Sequence, residues 1–211
     1  ASAPMSNGVP YIVVQNDCDH SIIAGESENG HWYGTSANVA PHSSHTFTLK
    51  PHWKGRIWGR EVCDDDCTYA GIGSPASLAE FLFKDGEGKD FYDISLVDGY
   101  NLPLKIDPIQ PRNPAEGDFY RCGSPSCMGV PDCPKELQII KDGKVLGCKS
   151  ACSQFGGDEH CCLGEFGEGI CAPSSYSKIF KSACPHAYSF AYDDATSMFM
   201  CQASGYKVTF C

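Results

Sequence analysis

The chain has 211 residues, of which 42% are hydrophobic and 20% charged, with a formal net charge of −10 and 14 cysteines. That is a globular composition, long enough for one large domain or a domain with an appended lobe. The acidic balance disfavours nucleic acid and anionic lipid, which need a basic face, but leaves neutral partners such as polysaccharides open. No apolar run approaches the roughly 20 residues of a membrane-spanning helix.

The N-terminal "ASAPMSNGVP" has no initiator Met and no apolar signal core. It reads as a mature end left by signal-peptide removal, or as a chosen boundary. Short β-prone runs follow at sandwich-like spacing: Tyr11–Asn16, Ser21–Gly25, His45–Lys50 and Arg56–Arg60. "NLPLKIDPI" adds a strand whose Pro103 predicts an edge or a bulge. From about Pro111 the chain turns Pro-, Gly- and Cys-rich. One helix is predicted in "PSSYSKIFKSAC", capped by Ser174 or Ser175, with Tyr176, Ile179, Phe180 and Ala183 on one face and Pro185 as its stop. "GYKVTFC" returns to strand, and its terminal Cys211 has Cys18 as the obvious partner. The predicted organisation is a β-rich body from residues 1–115 and 185–211, with a disulfide-rich lobe over 116–184. A cleft is expected at the junction.

The cysteine spacings are irregular and lack the paired Cys-x-x-Cys of a zinc knuckle, so an even set of 14 reads as the disulfide framework of a secreted protein. Each bridge is worth typically about 2–4 kcal/mol. There is no Asn-x-Ser/Thr sequon, no G-x-S-x-G elbow and no phosphate loop. "DGEGKDFYD" lacks the residue order of a calcium loop. Asp64–Asp66 read as a solvated loop, and His42 and His45 lack a third metal ligand. No metal or cofactor is expected.

The chemistry centres on "SLAEFLFKDGEGKDFYDISLVDGY", Ser77 to Tyr100. A hairpin centred between Gly86 and Glu87 sets Phe83 opposite Asp90 and Glu80 opposite Asp93. Two acids so paired have Cβ atoms about 4.5–5.5 Å apart and repel. Asp98 follows in a "VDG" turn. Crowded carboxylates separate in pKa, which is what glycoside hydrolysis needs: one protonated acid for the leaving oxygen, one ionised group for the anomeric carbon or a water. Two solvated edge acids in a slipped register are the alternative.

Several segments carry a family resemblance: "GRIWGR", "SLAEF", "DFYDISLVDGYNLPL", "CPKEL", "YSKIFKSACPHAYSFAYDDATSMFMC" and "YKVTFC". Nearly end to end, the chain resembles the thaumatin-like proteins. The resemblance implies a mainly β fold, a flattened β-sandwich with a disulfide-rich loop and helix lobe and an acidic interlobe cleft. It implies the pairings Cys18–Cys211, Cys63–Cys67, Cys122–Cys201, Cys127–Cys184, Cys133–Cys148, Cys152–Cys161 and Cys162–Cys171. The shortened "CDDDCTYAGIG", which lacks a further small bridge of the typical plant member, and the acidity point to a fungal or other non-plant relative. The family's cleft motif of one Arg, one Glu and three Asp falls on Arg56, Glu80, Asp93, Asp98 and Asp194. By resemblance Glu80 is the general acid and Asp98 the nucleophile or base, while Arg56, Asp93 and Asp194 shape the field and bind sugar hydroxyls. Tyr100 is a candidate stacking platform. The implied function is a secreted, monomeric endo-β-1,3-glucanase acting on cell-wall β-1,3-glucan. A non-catalytic glucan-binding antifungal protein is the alternative, and an inhibitor or taste-active protein fits the acidic charge poorly.

Overall fold

The computed structural model describes residues 9–31, 33–62, 69–71, 74–83, 89–112 and 117–211. Strands β1 (Tyr11–Asn16), β2 (Ile22–Glu28), β3 (Thr35–Val39), β4 (Ser44–Thr48) and β5 (Lys54–Arg60) open the chain. β6 (Leu78–Leu82), β7 (Asp90–Ser95), β8 (Gly99–Tyr100) and β9 (Leu104–Ile109) follow. The cysteine-rich stretch holds β10 (Ser126–Cys127), β11 (Gln138–Lys141), β12 (Lys144–Lys149), and helices α1 (Ala151–Phe155), α2 (Asp158–Cys161) and α3 (Ser175–Ala183). β13 (Phe199–Cys201) and β14 (Gly205–Phe210) close it.

The fold is mainly β, as expected. One sheet runs β10-β9-β14-β1-β4 and the other β13-β7-β6-β5-β2-β3. Alternate residues of both feed one core: Ile12, Val14, Ile106 and Val208 from the first, Ile57, Ala79, Phe81, Tyr92 and Ile94 from the second. β1 and β14 pair in parallel, so the two ends of the chain lie side by side. The Cys18–Cys211 bridge then closes 193 residues of chain. At the centre, Phe81 packs on Phe83, Tyr92 and Tyr206 with ring centroids 5.4–6.4 Å apart. Fully burying one such ring contributes about 1.5–3 kcal/mol.

Among the described residues six bridges form, and they match the implied pairings; the Cys63–Cys67 pairing lies outside the described residues. The cap of α3 is Ser174, whose hydroxyl accepts from Ser177 N at 3.1 Å. Its buried face differs from expectation. Ser177 and Phe180 point inward, while Ile179 is 42% exposed and Ala183 also faces solvent. Cross-links around a nine-residue helix decide which face is covered, and Cys184–Cys127 draws in the Phe180 side. Pro103 precedes β9 instead of bulging it, and its carbonyl accepts from Cys211 N at 3.0 Å.

The composition of "QIIKDGKVLGCK" hid a hairpin. β11 and β12 pair across Asp142 and Gly143, whose φ values of 50° and 77° make the primed turn that matches strand twist. The Asp-Gly pair between Ile140 and Val145 was the available signal. β12 pairs in turn with β8, Cys148 opposite Tyr100 and Lys149 opposite Gly99, which ties the cysteine-rich region to the turn carrying Asp98. Gly99 has φ 114°, and a Cβ there would run into the Cys148 carbonyl.

Replacing Cys18 and Cys211 together by Ser is expected to cost about 2–5 kcal/mol in denaturant unfolding, since no other bridge among the described residues joins the chain ends. An unchanged midpoint would mean that the β1–β14 pairing suffices alone.

Candidate functional site

β5, β6 and β7 lie side by side and antiparallel. Their registers set Arg56 opposite Glu80 and Glu80 opposite Asp93. Directly opposed residues share a face, so the three side chains form one row. The neighbouring positions Ile57, Ala79 and Ile94 point the other way and are fully buried. A one-residue slip would bury the row and expose the core, which is why this register holds. The turn residues 84–88 lie outside the described residues, as do Asp64–Asp66.

One side of the row is closed. Trp58, Ala70, Ala76 and Leu78 form a small buried cluster there. The segment over it is pinned by Arg60 Nη2, which donates to the carbonyl and hydroxyl oxygens of Ser74 at 2.7 Å each. Arg56 Nη1 donates to Ala70 O at 3.1 Å, which fixes the cation at this end of the row. The other side is open. A groove of about 460 Å³ runs past Glu80 and Asp93 to Leu82, Phe91, Asn29 and Met198.

Asp93 is 7% exposed, and its Oδ1 has no hydrogen-bond partner. Burial pushes its carboxyl well above the usual carboxylate range; the Glu80 charge, a hydrogen bond with Glu80 and the Asp194 charge add to this. Asp93 therefore stays protonated beside Glu80 over a wider pH range than a free aspartate. Asp98, in the turn closed by Gly99 N to Leu96 O at 3.0 Å, is also raised. Burial is the main cause, the Arg56 guanidinium opposes it, and the Glu80 charge reinforces it. Ser153 Oγ of α1 donates to Asp98 O at 3.2 Å. Asp194 is exposed on a short 3₁₀ turn, Asp194–Thr196, and accepts the Tyr188 hydroxyl at 2.5 Å.

Arg56, Glu80, Asp93, Asp98 and Asp194 thus sit within one electrostatic neighbourhood. Tyr100 does not. It is 3% exposed, its ring meets Phe180 edge-on at 5.1 Å, and its hydroxyl donates to Pro131 O at 2.6 Å. It is a core anchor between β8 and α3, and no sugar can stack on it. The half-buried aromatic beside the acids is Phe91, two residues before Asp93 on the same face of β7. Sequence reasoning also missed Tyr188, whose position six residues before Asp194 carries no periodic signal. His45 packs edge-on against Phe47 at 4.7 Å. Among the described residues no three His, Cys, Asp or Glu gather as metal ligands, and no helix is long and apolar enough to cross a membrane.

The Thaumatin family matches residues 16–211. "Pathogenesis-related thaumatin-like protein 3.5" of Cryptomeria japonica is 40% identical over 97% of this chain and 90% of its own length. "Pathogenesis-related protein 5" of Arabidopsis thaliana is 38% identical over 94% and 88%. Both are plant proteins and lend no support to a non-plant origin. Among solved structures, a laminaripentaose-producing β-1,3-glucanase in complex with laminaritetraose superposes with a TM-score of 0.62 at 12% identity, covering 98% of this chain and 99% of that one. A β-1,3-glucanase domain from Clostridium beijerinckii gives 0.58 at 10% identity, covering 99% and 100%. At these identities the likeness is one of fold.

Asp93 holds a proton in the native state that the unfolded chain releases above its ordinary value of 3.8. Its contribution to stability therefore falls as pH rises from there, until native Asp93 itself ionises. Asp93→Asn, neutral at every pH, is expected to melt a few degrees above wild type near neutrality, with the gap closing in acid. A pH-independent gap in thermal melts would refute the buried proton.

Proposed function

The chain belongs to the thaumatin family, and from that footing we propose that it is a secreted, monomeric endo-β-1,3-glucanase. The observation that carries the reading is the Arg56–Glu80–Asp93 row, whose two acids line an open groove. A neutral polysaccharide meets no net repulsion from this acidic chain, its hydroxyls suit the carboxylates, and its C–H faces suit Leu82, Phe91 and Met198. The likeness in fold to two β-1,3-glucanases supports the same substrate class.

In this reading Asp93 keeps its proton throughout. Glu80, half-buried and lining the groove, enters protonated and gives its own proton to the leaving glycosidic oxygen. The Asp93 O–H then donates to the Glu80 carboxylate, and the water that completes hydrolysis returns a proton to Glu80. Asp98 works ionised, as nucleophile or as base on a water, and Arg56 favours that form. Asp194 binds sugar hydroxyls at the rim. A glucan-binding antifungal protein without turnover is the second reading. What favours it is the relatives' description as pathogenesis-related proteins.

Glu80→Gln is expected to cut release of reducing ends from linear β-1,3-glucan by roughly 10²–10⁴-fold, the size of a general-acid contribution, while binding survives. Unchanged hydrolysis would remove Glu80 from the acid role. Activity should also fall on the acid side as Asp98 takes up a proton, above the range of an ordinary aspartate. Arg56→Met, which removes the cation that opposes the Asp98 shift, should move this limb to higher pH. A limb unmoved in that variant would separate Asp98 from the rate.

A further inference from the structure

One buried titratable side chain that the sequence motif does not contain points into the same cluster. Tyr188 is 7% exposed, and its hydroxyl donates to Asp194 Oδ1 at 2.5 Å. Its main chain is locked beside β7. Tyr188 N donates to Ile94 O and Leu96 N donates to Tyr188 O, both at 2.8 Å, forming a parallel bridge with Ser95. Of β7, β13 covers Asp90, Phe91 and Tyr92, so Tyr188 takes the stretch of that edge beyond them, next to Asp93.

The rest of this segment is fixed from α3. Lys181 Nζ contacts Asp193 Oδ2 at 2.8 Å and donates to Ala187 O and Ser197 Oγ at 3.0 Å each. Asp193 Oδ2 also accepts from Ser189 N at 3.1 Å and Ser189 Oγ at 2.9 Å. Asp193 is therefore consumed in holding the segment, and its neighbour Asp194 is the one presented outward. The charged groups facing the Tyr188 hydroxyl are Asp194 from its own segment, Asp93 from β7 and Glu80 from β6. Burial, the bond to Asp194 and these charges push the phenol far up, so it stays a proton donor at any working pH.

We propose that Tyr188 is a positioning residue of the cleft, its phenol holding Asp194 turned toward the Glu80–Asp93 pair. The segment after α3 then supplies a phenol–carboxylate unit, clamped by Lys181, beside the Glu80–Asp93 pair. Without the phenol, Asp194 swings to solvent, and the cleft loses both a hydroxyl-binding carboxylate and one of the charges acting on Asp93.

The test is a carboxyl NMR titration of Asp93 in the free protein, in wild type, Tyr188→Phe, Asp194→Asn and the double variant. Tyr188→Phe keeps the ring and its packing. It is expected to lower the Asp93 midpoint in the same direction as Asp194→Asn, with the double variant matching Asp194→Asn alone. A midpoint unmoved by Tyr188→Phe while Asp194→Asn shifts it would make Tyr188 a packing residue. A midpoint unmoved by either would overturn the cluster itself. A second arm rests on the glucan reading: affinity for a soluble β-1,3-gluco-oligosaccharide should drop roughly tenfold in Tyr188→Phe, the size of one charge-assisted hydrogen bond, without adding to the Asp194→Asn loss. Additive losses would contradict the positioning role. Wild type that binds no oligosaccharide would fail the glucan reading, and the titration would still decide the role of Tyr188.

Discussion

Two carboxyl groups forced opposite each other on adjacent strands organise this molecule. Glu80 and Asp93 cannot move apart, because their strands are stitched along the whole of β6 and backed by Phe81, Tyr92 and Tyr206. They cannot both ionise cheaply either, because Asp93 is sealed from water. Asp93 therefore holds its proton beside Glu80, with the Arg56 cation on the other side of Glu80 in the row. A structure optimised for stability alone would place an apolar or amide side chain at residue 93. Keeping an acid there costs stability, a pattern common at functional sites.

The cysteine-rich region matters to function through what it delivers to that row. β12 grips β8, so the turn carrying Asp98 is held at its C-terminal end, and Ser153 of α1 holds the Asp98 carbonyl. α3 reaches in through Lys181 and fixes the segment that carries Tyr188 and Asp194. The bridges Cys127–Cys184 and Cys133–Cys148 tie these parts to the sandwich and to each other. Asp98 and Asp194 therefore come to the row on short, cross-braced connections.

Much of the site is legible in the amino-acid sequence itself. The period-two alternation on both sides of the Gly-rich turn puts Glu80 and Asp93 on one face, but a two-residue slip would keep that face, so their direct pairing is settled by the structure. Arg56, Asp98 and Asp194 are legible only through family resemblance, since their convergence depends on tertiary packing. Other features are overridden by context. Ile179 follows the helical period yet faces solvent, because disulfides and Lys181 set the orientation of α3. Tyr100 follows the turn carrying Asp98 closely and reads as available, but its hydroxyl has an internal partner in Pro131 and its ring fills a gap against Phe180. Tyr188 gives no signal, because a tyrosine six residues from an acid is meaningful only when a non-adjacent strand edge receives it.

In the two functions proposed, binding and hydrolysis of β-1,3-glucan would draw on the same groove, and the difference between them is whether a proton from Glu80 reaches a glycosidic oxygen. Incubating the wild-type protein with linear β-1,3-glucan across acid to neutral pH, with products resolved by size, separates the two most directly. The expected result is accumulating oligosaccharides of intermediate length, with a rate that rises and then falls with pH. Glucan that is bound but stays at full length at every pH would contradict a catalytic role for the Glu80–Asp93 pair.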